Sequence, residues 1–203
     1  YMVREGLFNE VDVAIHWHPS PVNNASTGGT LANKSGKFRF YGVASHAAAS
    51  PERGRSALDA VEAMNNMVNM LREHVPQETR IHYVITRGGE APNVVPAFAE
   101  VYYYVRHPRS EEVKSTWSRI EKAAQGAAMG TETRVEVEVT GGVYNMVPNE
   151  VLGKVMDANL RSVGGYTYTA EEKAFAEKIQ KSFTGNIPRL ETTNEIMPFT
   201  IRE

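Results

Sequence analysis

Between Lys37 and Thr140 the apolar residues change period in a set order, and that order limits the possible folds more than any other feature of the chain. Lys37 to Ala44 (KFRFYGVA) is rich in aromatic and β-branched residues and reads as a strand. Ser56 to His74 carries Ala57, Val61, Met64, Val68 and Leu71 at spacings of four and three, the stripe of an amphipathic helix that Pro76 ends. Thr79 to Thr86 alternates Ile81, Tyr83 and Ile85 against His82, Val84 and Thr86, and Phe98 to His107 alternates again up to Pro108. Ser110 is placed to cap a second helix, with Glu111 and Glu112 in the first turn and Val113, Trp117, Ile120, Ala124 and Ala127 on one face. Arg134 to Thr140 then sets Val135, Val137 and Val139 against Glu136 and Glu138. Strand, helix, strand, strand, helix, strand is the split βαβ, ferredoxin-like plan, an α+β unit with a four-stranded antiparallel sheet and both helices on one face.

The flanks follow a different grammar. Val11 to Trp17 is a short continuous apolar run, expected to be a strand buried on both faces. Residues 19–35 are a polar, Gly- and Asn-rich connection. Asn149 to Val163 presents Val151, Leu152, Val155, Met156 and Leu160 at helical spacing, and Thr169 with Glu172 forms a capping box ahead of a second helix bearing Phe175, Ile179 and Phe183. The expected division is 1–35 and 148–203 as pieces of one parent domain, with 36–147 inserted between them.

With 203 residues, 41% hydrophobic and 23% charged, the chain can bury a real core. A formal net charge of −2 gives no field that would gather nucleic acid or anionic lipid. No apolar stretch approaches the roughly 20 residues needed to span a bilayer. There is no cysteine, which rules out disulfides and thiolate metal sites and is compatible with the cytoplasm. The opening Tyr1-Met2-Val3-Arg4-Glu5 has neither the build of a signal peptide nor an initiating methionine, so a piece of a longer or processed protein is expected.

Four places carry residues suited to chemistry. His16 and His18 in VDVAIHWHPSP would point the same way on a strand, and either could bind a metal or be hydrogen-bonded in the core. Glu10 and Asp12 are the only acids close by in sequence. His46 sits among small residues in GVASHAAASPERG, open to an approaching ligand or simply to solvent. Asn93 in GGEAPNVVP is held between Pro92 and Pro96 on a stiffened loop that the hairpin needs in any case. Arg106 ends YYYVRHP on the same face as Tyr102 and Tyr104, where a guanidinium could clamp a carboxylate or remain a solvated edge charge. Three tyrosines on a sheet also suit base stacking, but no basic, Gly-containing segment of the RNA-binding kind precedes them.

In order, DVAIHWHPSP, GKFRFYGVASHAAASPERGRSALDAV, GGEAPNVVPAFAEVYYYVRHP and VTGGVYNMVPN resemble the bacterial aminoacylase and carboxypeptidase-G type metallopeptidases. Within them the resemblance is to the aminobenzoyl-glutamate utilization protein B group, and it covers roughly residues 5 to 183. It implies a catalytic α/β domain interrupted by a lid that also mediates homodimerisation. It assigns His18 to one of two divalent ions, zinc or manganese, and makes His46 a lid histidine that reaches the partner's site and stabilises the oxyanion. Asn93 and Arg106 become substrate contacts. The implied reaction is hydrolysis of the amide of an N-acyl amino acid such as p-aminobenzoyl-glutamate, by water activated at the metals with a glutamate as general base. The family's first ligand histidine with its aspartate, its glutamate pair and its last ligand histidine have no match in these residues, so the chain by itself is expected to be catalytically incomplete. The rival expectation is a non-catalytic ferredoxin-like module that dimerises or binds a small carboxylated ligand.

Overall fold

Residues 2–202 are described in a computed structural model, and they divide into two compact units, Gly28–Pro148 and the flanks, 2–27 together with Asn149–Arg202. The first unit contains β1 (Ala32–Tyr41), α1 (Ala57–Leu71), β2 (Arg80–Arg87), β3 (Phe98–His107), α2 (Ser110–Gly130) and β4 (Arg134–Val143). The strands form the expected antiparallel four-stranded sheet, in the order β2-β3-β1-β4.

The helical stripes are what hold this unit together. Ala57, Val61, Met64, Val68 and Leu71 of α1, and Val113, Trp117, Ile120, Ala124 and Ala127 of α2, are all buried in one cluster with Phe38, Phe40, Ile81, Val101, Tyr103 and Val105 of the sheet. Phe38 sits at the centre, edge-on to Tyr103 at 5.6 Å and tilted against Trp117 at 5.5 Å, while the Tyr103 hydroxyl donates to buried Asn65. The opposite face of the sheet, bearing Lys37, Arg39, Glu100, Tyr102, Tyr104 and Arg106, is not covered by these helices.

The ends of two elements differ from expectation. The first strand runs Ala32–Tyr41 rather than 37–44, because it is the central strand and its polar beginning is recruited by β3 on one side and β4 on the other, through a register shift between Ser35 and Gly36. It stops where Gly42 passes so close to Arg55 that a Cβ would lie 1.9 Å from the Arg55 carbonyl oxygen. The N-cap position of α2 is Arg109, with Ser110 as the first helical residue, its hydroxyl donating to Glu111 instead. Helix α1 is capped by the Ser56 hydroxyl, which accepts from the Asp59 N–H at 3.1 Å.

In the flanks, α3 (Glu150–Val163) is capped by Asn149 and α4 (Ala170–Gln180) by the Thr169/Glu172 capping box. Val11–Trp17 is a correction: the segment is irregular and exposed, with Trp17 81% accessible. A strand buried on both faces exists only between neighbours, and among the described residues no strand pairs with this one. Among the described residues no helix is long and apolar enough to cross a membrane.

Candidate functional site

His46 and Asn93 lie on loops that the backbone laces together. The loop after β1 and the loop before β3 share the bonds Gly42 N–H to Ala97 O at 2.8 Å, Val95 N–H to Ser45 O at 3.0 Å and Ala47 N–H to Asn93 O at 2.9 Å, and His46 bridges Val94. The Pro96 carbonyl accepts from the Ala57 N–H at 2.8 Å, tying both loops to the start of α1. Gly89, at φ +107°, takes the turn into the second loop against Pro96, a conformation L side chains rarely adopt.

The two histidines carry opposite tautomers. His46 Nδ1 accepts from the backbone N–H groups of Ala48 and Ala49 at 3.2 and 3.1 Å. Because an N–H can only donate, Nδ1 bears no proton and the neutral ring carries its hydrogen on Nε2. His46 thus offers a donor to whatever approaches its exposed side. His18 lies in the flanking unit, its Nδ1 2.9 Å from the Pro19 carbonyl oxygen, which can only accept. That bond fixes the proton on Nδ1 and leaves the Nε2 lone pair for a ligand, the arrangement in which metal-binding histidines are commonly held. His16 is also exposed, but with no strand here the alternation that aligned it with His18 does not apply.

Arg106 is at the other end of β3. The loops meet the sheet at Phe98, whereas Arg106 stands eight residues further along, roughly 27 Å away at about 3.4 Å per residue. Its guanidinium lies 5.6 Å from the Tyr104 ring centroid, and its Nε is buried without a partner. Tyr104 is itself held by a chain of hydroxyls: Ser35 to Thr140 at 3.0 Å, Thr140 to Tyr102 at 3.0 Å, and Tyr102 to Tyr104 at 3.3 Å. The structure therefore brings His46 and Asn93 together and sets Arg106 apart from them.

A family model described as a peptidase dimerisation domain, of the M20 type, matches residues 29–132, which is the sheet-and-helix unit up to the end of α2. The chain belongs to the M20 peptidase dimerisation family. It is 44% identical to one of the polypeptides of the p-aminobenzoyl-glutamate hydrolase of Escherichia coli over 187 residues, 92% of this chain and 39% of that protein. It is 32% identical to the human Xaa-Arg dipeptidase over 166 residues, 80% of this chain and 37% of that enzyme. Among solved structures, it resembles an aminobenzoyl-glutamate utilization protein from Klebsiella pneumoniae with a TM-score of 0.63 and 25% identity, over 77% of this chain and 41% of that one. The chain thus spans about two fifths of the length of the curated relatives it matches.

Within this M20 dimerisation domain the open sheet face holds one further cluster, outside the four places that the sequence marks. The Glu100 carboxylate, nearly buried, accepts from Thr86 Oγ1 at 2.7 Å and Arg39 Nε at 2.7 Å and pairs with Lys37 Nζ at 3.0 Å. Burial alone would raise the Glu100 carboxyl, but the hydrogen bonds from Thr86, Arg39 and Lys37 outweigh it and hold the group at about 2. An acid on an aromatic strand opposite the alternating Lys37 and Arg39 is the signal by which it could be found. Among the described residues no group of three or more His, Cys, Asp or Glu could hold a metal ion. His18 presents a single imidazole nitrogen, and the described residues do not fit a complete metal centre around it.

Proposed function

We propose that this chain is the dimerisation lid, with flanking segments 1–35 and 148–203 from the catalytic domain, of a metal-dependent amidohydrolase. Its substrates are N-acyl amino acids of the p-aminobenzoyl-glutamate kind, its metal is zinc or manganese, and it works in the cytoplasm as a homodimer. His18 would give one metal ligand through Nε2, the others coming from residues outside this sequence. The Nε2–H of His46 donates to the carbonyl oxygen of the scissile amide as that oxygen gains negative charge. Asn93 hydrogen-bonds the substrate beside it, and Arg106 pairs with the carboxylate of the amino-acid half.

The observation that carries this reading is the separation of Arg106 from the His46–Asn93 pair. An N-acyl amino acid is much shorter than β3, so one copy of the lid cannot bring both ends to one ligand. Two copies can. β2 is an edge strand with Tyr83, Val84 and Ile85 partly exposed, and Met70 of α1 lies open on the helical layer. Such an edge is a template for pairing with another chain; the β4 edge also exposes Val137 and Val139 but sets Glu136 and Glu138 among them. Because β2 is antiparallel to β3, it runs from the Arg106 end to the His46–Asn93 end. Antiparallel pairing of two β2 strands across a two-fold axis then places the Arg106 end of each copy beside the His46–Asn93 end of the other.

Complementation tests this. In the parent enzyme, His46→Ala should lower kcat by about 10²–10³-fold with little change in KM, as loss of an oxyanion donor does. Arg106→Ala should raise KM for acidic amino acids more than for neutral ones. Mixing and refolding the two variants in equal amounts, assayed with an acidic substrate at a concentration where neither alone turns over appreciably, should restore about a quarter of the normal activity, since half the dimers are mixed and each mixed dimer has one intact site. No recovery in verified mixed dimers would sink the shared site.

A further inference from the structure

The two orphaned polar atoms nearest the Arg106 end of the open face belong to residues directly opposite each other. Arg106 on β3 pairs in register with Asn33 on β1, so their side chains leave the same face with Cβ atoms about 5 Å apart. Arg106 Nε, a donor, is buried without a partner, and so is Asn33 Oδ1, an acceptor. Leaving either unsatisfied costs about 1–3 kcal/mol. Both are shut off from water, so each has the other as the natural partner within reach. The other guanidinium in this register, Arg80, is already spent on the backbone carbonyls of Gln77 at 2.7 Å and Thr79 at 2.9 Å. Below the Arg106 guanidinium lies the Tyr104 ring, pinned by its hydroxyl chain.

We infer that Asn33 is a positioning residue for Arg106: when the outer nitrogens of the guanidinium engage a ligand carboxylate, Nε swings onto Asn33 Oδ1 and the fork is held square to the ligand. Tyr104 supplies the floor of this clamp and Asn33 its side wall. The free chain keeps both atoms unbonded, so closing the bond contributes to ligand affinity rather than to folding. This rests on the proposed carboxylate role of Arg106 and deepens it.

The test uses the 203-residue chain, N-acetyl-L-glutamate as probe, and the Arg106 Nε–H signal in nitrogen-15 NMR. In the wild-type chain the probe should move the Nε–H signal downfield and slow its exchange with water. Asn33→Leu should abolish that signature and weaken binding about tenfold, the size expected for a hydrogen bond to a charged group, while its Tm stays level or rises because an orphan acceptor has been removed. Asn33→Asp keeps the acceptor and should show the bonded Nε–H signal even without probe. Wild-type affinity and Nε–H response in Asn33→Leu would overturn the inference, as would an Asn33→Asp chain with no bonded signal. Arg106→Ala binding the probe as tightly as wild type would instead overturn the carboxylate role itself, and the inference with it.

Discussion

The unit Gly28–Pro148 and the flanking unit are written in the same apolar grammar, yet only one of them uses it internally. In the former, every apolar position of the two helical stripes meets a strand of the same unit and vanishes from solvent. In the latter, α3 keeps Val151 73% and Val155 54% exposed, α4 keeps Phe175 65% exposed, and the only buried residues among those described are Ala25 and Gly153. Gly153 is packed so tightly that a Cβ would lie 2.3 Å from a Thr27 methyl, so the flanks do touch one another, but over small patches. The difference teaches that periodicity reports which face of an element is meant to be covered and says nothing about what covers it. For α1 and α2 the cover lies within the same hundred or so residues. For α3 and α4 the stripes stand open among the described residues.

Core truncation should divide the two regions most sharply. Trp117→Ala, which empties the space against Phe38, should cost about 3–5 kcal/mol, whereas Phe175→Ala should stay within about 0.5 kcal/mol, as exposed positions do. Urea unfolding followed by circular dichroism checks both, and comparable losses would erase the distinction. Next in size is acid sensitivity of the dimerisation domain. The Glu100 carboxyl is lowered from 4.5 to about 2 in the folded state, so its contribution is full above pH 4.5 and is lost as pH falls towards 2. The sum is at most about 3 kcal/mol, and Glu100→Gln should be less stable at neutral pH while losing less on acidification. A mutant whose acid slope matches the wild type would show that the cluster does not govern it. Smallest is the capping box of α4. Thr169→Ala should cost about 1 kcal/mol locally, seen as faster amide exchange in Ala170–Gln180 with no movement of the dimerisation domain's melting transition.

Much of the dimerisation domain is legible in the sequence because its helices have clean stripes and its strands alternate. Phe98–His107 and the buried faces of α1 and α2 emerge as the spacing requires. What escaped depends on contacts between distant segments. Ala32–Gly36 has the composition of a linker and becomes strand only because both neighbours pair with it, which is why nothing in the sequence singles out Asn33. Val11–Trp17 has the composition of a buried strand and lacks the neighbours that would make it one. The approach of His46 to Asn93 is made by backbone bonds between two irregular loops, which leave no periodic trace. Residue type suggested Arg106, but only the strand register shows that it stands at the far end from the other two.

That opposite-end placement has a consequence for how such an enzyme behaves as its abundance changes. If each working site takes one end from each copy, an isolated copy has none, however well it folds. Turnover would then fall with the square of protein concentration once dilution passes the point where the lids separate. In that range, halving the synthesis would lower the reaction about fourfold rather than twofold, and a defective copy would disable a site shared with a sound one.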